Sequence, residues 1–164
     1  MMFRTLLIAA AALSLAACQG QKPLPDQSQA SRAFIEKTAK EPGVQRLPSG
    51  VLYKVVRQGP ANGTRPQLSD EVKVHYEGKL IDGKVFDSSY ERGQPAAMPL
   101  RGLIPAWQEA LQLMRPGDEW ILYVPPEQGY GPEGAGGEIP PNAALIFRVE
   151  LIAVLEGPGH RALG

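Results

Sequence analysis

Residues 71–90 read EVKVHYEGKLIDGKVFDSSY. Val72, Val74, Tyr76 and Leu80 fall on one side of a two-residue period, and Lys73, His75, Glu77 and Lys79 on the other. The alternation predicts a strand over Glu71–Leu80 with one face in a core and one toward water. Asp82-Gly83 supplies a two-residue hairpin turn, whose type I′ form needs φ > 0 at both central positions. Val85–Ser88 is then the return strand. In this register Leu80 faces Val85 and Gly78 faces Asp87, and directly paired residues share a face. Asp87 therefore turns inward with Tyr76 and Leu80, opposite a glycine that leaves room. A carboxylate withdrawn from water needs partners, and the Tyr76 hydroxyl and Arg92 are the nearest in sequence. A Tyr76–Asp87 hydrogen bond is expected, with Asp87 a fixed polar group in an apolar recess, the layout of a binding site. A bulge after the turn would shift the register by one and break this pairing.

Outward from the hairpin, Val44–Leu47, Val51–Arg57, Glu119–Val124 and Ala144–Leu155 read as further strands. Ile104, Trp107, Leu111 and Met114 recur at helical spacing, with Pro105 suited to a first helical turn and Pro116-Gly117 ending the run. A shorter helix is expected over Ser31–Lys40, with Ser31 as N-cap, Phe34 as its apolar anchor and Glu41-Pro42-Gly43 as its stop. Between the last two strands lies the loop 125–143, in which glycine and proline supply ten of residues 125–141. Loops this long in a compact domain are commonly functional, and Tyr130 and Ile139 are odd choices for a solvated linker. These elements make an antiparallel sheet of about five strands with one amphipathic helix to cover one face, an α+β class.

The first residues read differently. Arg4 precedes the uncharged, alanine-rich run 5–17, the layout of a secretory signal. It ends in LAAC (Leu15–Cys18), which resembles a bacterial lipobox, so cleavage before Cys18 and lipid attachment there are expected; an ordinary leader with a chance cysteine is the alternative. Cys18 is the single cysteine of the chain, and a lone cysteine makes no internal disulfide. Gln19 leans toward the outer membrane in lipoproteins of this type. The organisation expected is a lipoprotein signal peptide at 1–17, a flexible tether at 18–30 and a short helix with a lead-in strand at 31–46. A folded domain follows at 47–155 and a disordered tail at 156–164. The chain has 17 basic and 17 acidic side chains, a balance that argues against a nucleic-acid binder.

No G-x-S-x-G elbow and no Walker-type glycine loop is present. His75 and His160 do not have metal-ligand spacing. Covalent, phosphoryl and metal chemistry are thus poorly supported, no cofactor is expected, and an enzyme built this way would work by binding and desolvation. By spacing alone Trp107, Phe86 and Phe147 read as packing residues, and Arg92 as a solvated loop charge.

Three separated stretches carry a resemblance. VHYEGKLIDGKVFDSSYERGQP (74–95), LIPAWQEALQLMRPGD (103–118) and GYGPEGAGGEIPPNAALIFRVEL (129–151) are together similar to the FKBP-type peptidyl-prolyl isomerases. The likeness covers about Leu47–Leu155 and is strongest to the bacterial branch of the macrophage infectivity potentiators. It implies a five-stranded antiparallel half-barrel sheet wrapped around one helix, with an apolar pocket between them. It implies Trp107 as the pocket floor, Tyr76, Phe86, Leu103, Ile104 and Phe147 as walls, and Tyr130 as the donor to a substrate carbonyl. Asp87 matches the pocket acid, Arg92 the arginine beside it, and Ile139 the loop residue closing one side. Ala96, Met98 and Ala135 depart from residues common at their positions. The activity implied is cis–trans isomerisation of X–Pro bonds in unfolded or exported polypeptides. Binding of the family's macrolide inhibitors is implied too, at a periplasm-facing membrane reached through the lipid on Cys18. A chaperone or binding module with incidental isomerase activity is the alternative. The branch's long dimerising arm is reduced here to Ser31–Lys40.

Overall fold

The computed structural model describes residues 23–157. The expected leader 1–17, the lipid-bearing Cys18, His160 and most of the 156–164 tail lie outside the described residues. The strands are β1 (Gln45–Arg46), β2 (Leu52–Arg57), β3 (Glu71–Leu80), β4 (Val85–Ser88), β5 (Ala96–Pro99), β6 (Glu119–Val124) and β7 (Leu145–Leu155); the helices are α1 (Ser28–Thr38) and α2 (Pro105–Leu111). Every pairing is antiparallel, in the order β1-β2-β6-β7-β3-β4, with β5 also on β3. β5 lies along Glu71–Val74 and β4 along Glu77–Lys79, so the two are successive pieces of one edge. Counted so, with the two-residue β1 as a fringe on β2, the sheet has the five positions expected from sequence. β5 itself escaped the sequence reading, because Ala96–Pro99 contains no β-branched residue to mark it.

β3 is the spine. It pairs with β7 from Glu71↔Leu155 to Leu80↔Leu145. Its inward side chains Val72, Val74, Tyr76 and Leu80 are buried with Ala106, Trp107, Ala110 and Leu111 of α2. α2 ends at Leu111, short of Met114, to which the helical spacing extends. Pro116 lacks an N–H and would clash with the carbonyl of Gln112 if the helix continued. Two four-residue turns, closed by the Leu113 amide on the Ala110 carbonyl and the Met114 amide on the Leu111 carbonyl, still carry Met114 into the core.

α1 starts at Ser28, three residues earlier than expected, so the tether gives up its last three residues to the helix. Asp26 accepts hydrogen bonds from the Ser28 amide (2.9 Å) and hydroxyl (2.5 Å), satisfying an amide that the first helical turn leaves unpaired. Ser31 is therefore not an N-cap; it lies inside the helix and is buried. Phe34 does anchor the helix, its ring 6.1 Å from that of Tyr123. At the other end the first residues past β7 are held, since the Gly157 amide donates to Asp70 at 2.9 Å.

The β3–β4 hairpin departs from the expected register twice, and the departures cancel. The Leu80 amide donates to the Lys84 carbonyl and the Gly83 amide to the Leu80 carbonyl. The loop is thus three residues, Ile81-Asp82-Gly83, with the positive φ at Gly83 (+92°) and not at Asp82. A loop of this kind asks for φ > 0 at one residue, and glycine meets that without a Cβ penalty. Lys79 then pairs with Val85 in place of Leu80, which shifts the register by one. Phe86 is left over as a bulge, which shifts it back, and Gly78 faces Asp87 as first argued. The space over Gly78 is not kept for the carboxylate, however. A Cβ there would lie 2.6 Å from the Phe147 ring and 2.7 Å from the Phe86 ring, so two aromatic rings fill it.

Candidate functional site

A cavity of about 230 Å³ opens between the sheet and the start of α2. Tyr76 of β3, Phe86 and Asp87 of β4, Trp107 of α2 and Phe147 of β7 line it, with Leu103 and Ile104 just before α2 and Tyr130 from the long loop. Consecutive strand residues ordinarily face opposite ways. The bulge re-aims the chain, so that Phe86 and Asp87 border the same cavity.

Trp107, only 4% exposed, is set by ring edges. Tyr76 meets it at 5.2 Å and 84°, and Phe147 at 5.3 Å and 86°. Phe86 in turn meets Phe147 at 5.6 Å and 89°. Edge-to-face pairs of this kind are each worth roughly 0.5–1.5 kcal/mol beyond area burial. The Trp107 Nε1 is buried without a hydrogen-bond partner among the described residues, so packing alone fixes the indole.

The polar side of the cavity is a three-residue lock. The Tyr76 hydroxyl donates to Asp87 Oδ2 at 2.6 Å, as expected from the register. Arg92 donates to the other Asp87 oxygen and, at 2.9 Å, to the Tyr76 hydroxyl, with its guanidinium 5.5 Å from the Tyr76 ring centre. Arg92 thus stands behind Asp87 and does not border the cavity. Asp87 is more open than the inward reading implied, with its side chain 42% exposed. Burial pushes its carboxyl up, but the hydrogen bonds from Tyr76 and Arg92, together with the Arg92 charge, outweigh that and hold it below its ordinary value. Burial, then the hydrogen bond to Asp87, raises Tyr76. Burial, then the Asp87 charge, raises Tyr130. Both phenols therefore keep their protons at neutral pH, and Tyr130, 40% exposed, is a donor at the cavity mouth.

Ile139, like Arg92, is placed elsewhere than expected. It is buried in the core cluster and does not line the cavity. Its amide and carbonyl exchange hydrogen bonds with Ala135 (2.9 and 3.1 Å), closing a small loop of their own. Ala96 packs against the core but is likewise off the cavity, whereas Met98 lines it. Gly102 also lines it, and nothing in its sequence context marked it. His75 was read as a solvent-facing strand position. Its Nδ1 is 2.9 Å from the buried Ser89 hydroxyl, and its ring stacks on Tyr90 at 4.6 Å. The Ser89 hydroxyl also accepts from the Tyr76 amide at 2.7 Å and the Ser89 amide donates to the Tyr76 carbonyl at 2.9 Å, so this group fastens the segment that carries Arg92. A repeated Ser-Ser after the strand was the available signal. Among the described residues no group of His, Cys, Asp and Glu is placed to hold a metal ion.

The fold and site together define a class: an antiparallel sheet-and-helix domain with an aromatic recess between sheet and helix, bordered by a locked carboxylate and a phenol. Residues 62–152 match the family model of the FKBP-type peptidyl-prolyl cis-trans isomerase, and residues 8–55 match the domain amino terminal to it. The chain is 56% identical over 124 residues to the peptidyl-prolyl cis-trans isomerase Mip of Coxiella burnetii, covering 76% of this chain and 53% of that one. It is 50% identical over 122 residues to an FKBP-type 22 kDa isomerase of Escherichia coli, covering 74% and 58%. Among solved structures, FkpA from Escherichia coli superposes with a TM-score of 0.74 at 46% identity, over 79% of this chain and 59% of that one. A Pseudomonas syringae peptidyl-prolyl isomerase gives 0.73 at 40% identity, over 79% and 93%. This chain belongs to the FKBP-type peptidyl-prolyl cis-trans isomerase family. It spans little more than half the length of these two curated relatives.

Because the folded value of Asp87 is depressed, its contribution to stability is fully present above the ordinary carboxylate value of about 3.9 and is lost as pH falls through the lower folded value. Carboxyl ¹³C NMR should give Asp87 a midpoint below about 3.9, and Arg92→Ala should raise it. A midpoint at or above that value in the unaltered protein would mean that the lock is not formed in solution.

Proposed function

We propose that this chain catalyses rotation about X–Pro bonds, with the proline ring seated against Trp107. The observation that carries the reading is the edge-on aromatic recess around Trp107 with the Tyr130 phenol at its mouth. Twisting an X–Pro amide breaks its resonance, at a barrier of about 18–20 kcal/mol. Unaided, the exchange takes tens to hundreds of seconds. The planar amide is strongly charge-separated and water stabilises it. The twisted amide is less so, and an apolar recess therefore favours it relative to water. Tyr130 donates to a carbonyl flanking the proline and holds the peptide in place, an orientation effect. Asp87 is kept ionised by Tyr76 and Arg92 and orients the peptide without exchanging a proton, since rotating an amide moves none to or from the protein. Macrolides that occupy this recess in the family are expected to compete with substrate.

The substrates we infer are proline-containing exported or unfolded polypeptides at the periplasmic side of a membrane, with lipid on Cys18 as the anchor. The LAAC motif supports this, as does 47% identity over 122 residues to a Legionella longbeachae relative named outer membrane protein MIP.

The purified domain should accelerate cis–trans exchange of a short X–Pro peptide. Tyr130→Phe should lower kcat/KM about fivefold, the worth of one hydrogen bond of roughly 1 kcal/mol, and Trp107→Leu should lower it further. No acceleration by well-folded protein would sink the reading. For the anchor, cells fed labelled palmitate should yield labelled protein, and Cys18→Ala should lose the label; label retained in that variant would place the lipid elsewhere.

A further inference from the structure

Tyr130 sits in a loop rich in glycine, and its hydroxyl has no hydrogen-bond partner among the described residues. Its position depends on what holds the backbone beside it. The next residue, Gly131, has φ +59°, and its carbonyl accepts a 2.9 Å hydrogen bond from the Asn142 amide at the far end of the same loop. Asn142 has φ +56°, the one positive φ outside glycine among the described residues. A non-glycine residue persists in that conformation where its surroundings hold it.

Those surroundings are helix α1 and the two residues before it. The Asn142 carbonyl accepts from the Ser31 hydroxyl at 2.7 Å, and its side-chain amide donates to Asp26 at 2.6 Å. The Ser31 hydroxyl also accepts from the Ala144 amide at 2.7 Å, and the Gln27 amide donates to the Pro141 carbonyl at 2.9 Å. Ser31 is 1% exposed in the body of a helix, where serine gives no advantage of its own. Its hydroxyl is spent on a segment 111 residues away.

We propose that Ser31 and Asn142 are positioning residues for Tyr130: helix α1 fixes the place of the Tyr130 hydroxyl through them, and with it the rate of isomerisation. The proposal rests on the isomerase reading above. It assigns α1 a part in the reaction although no residue of α1 lines the substrate cavity.

A double-mutant cycle on the full chain tests it. Ser31→Ala and Asn142→Gly are each made alone and with Tyr130→Phe, and kcat/KM is measured well below the melting temperature of every variant. Asn142→Gly accommodates the positive φ, removes the bond to Asp26 and loosens the backbone there, so it decides the matter alone if Ser31→Ala does not fold. Each single change should lower kcat/KM by about threefold to fivefold, as a small misplacement of an orienting group does. In the Tyr130→Phe background neither should lower it further, because the hydroxyl they position is gone. Equal losses in both backgrounds, or no loss in either, would overturn the proposal while leaving the isomerase reading intact. An inactive parent chain would overturn both.

Discussion

The site hangs on one hydrogen bond, from the Tyr76 hydroxyl across the sheet to Asp87. It requires the second strand of the hairpin to present a carboxylate to the same side as an inward tyrosine of the first. The three-residue loop alone would turn Asp87 away. The bulge at Phe86 restores the pairing with Gly78 and brings a phenyl ring into the recess beside the acid. Gly78 completes the arrangement by having no side chain where the Phe86 and Phe147 rings pass. Arg92 then closes the lock from outside. Loss of that pairing would cost the cavity its acid and one of its rings together.

The rings that form the recess also belong to the core. Tyr76, Trp107 and Phe147 are buried with the sheet and α2, and Phe86 packs against them. In the proposed reading a substrate ring would meet a surface already packed, so little of its binding energy would be needed to organise the site. The groups that can adapt stand at the margin: Asp87, Arg92 and Tyr130 are each partly open to water. This division suits the proposed reaction, in which the apolar floor would lower the barrier and the polar margin would orient the chain on either side of the proline.

Much of this was legible because it is local. The alternation over Glu71–Leu80 revealed the spine of the sheet, and the spacing of Trp107 and Leu111 revealed the covering helix. The Gly78–Asp87 pairing came out right although the turn was miscounted, because the loop's extra residue and the bulge offset one another. That cancellation is set by tertiary packing and no sequence period reports it. β5 was missed because alanine and proline give no strand signal, and its pairing depends on β3 lying alongside. Ser31 looked like a cap because serine before an apolar run usually is one; its partners lie more than a hundred residues away. Ile139 and Arg92 were placed on the cavity by resemblance, and geometry set one in the core and the other behind Asp87. His75 fell on the solvent side of a correct alternation, and only the fold shows that Ser89 and Tyr90 cover it.

In the proposed reaction the apolar recess rotates the amide with no proton passing to or from Asp87, Tyr76 or Tyr130. The solvent deuterium isotope effect on kcat/KM for an X–Pro peptide tests it most directly. A value of about 1 is expected across neutral pH, because every titratable group of the site keeps its protonation state through the transition state. A value of about 2 or more would show a proton in flight and would recast Asp87 or Tyr130 as a general acid–base catalyst.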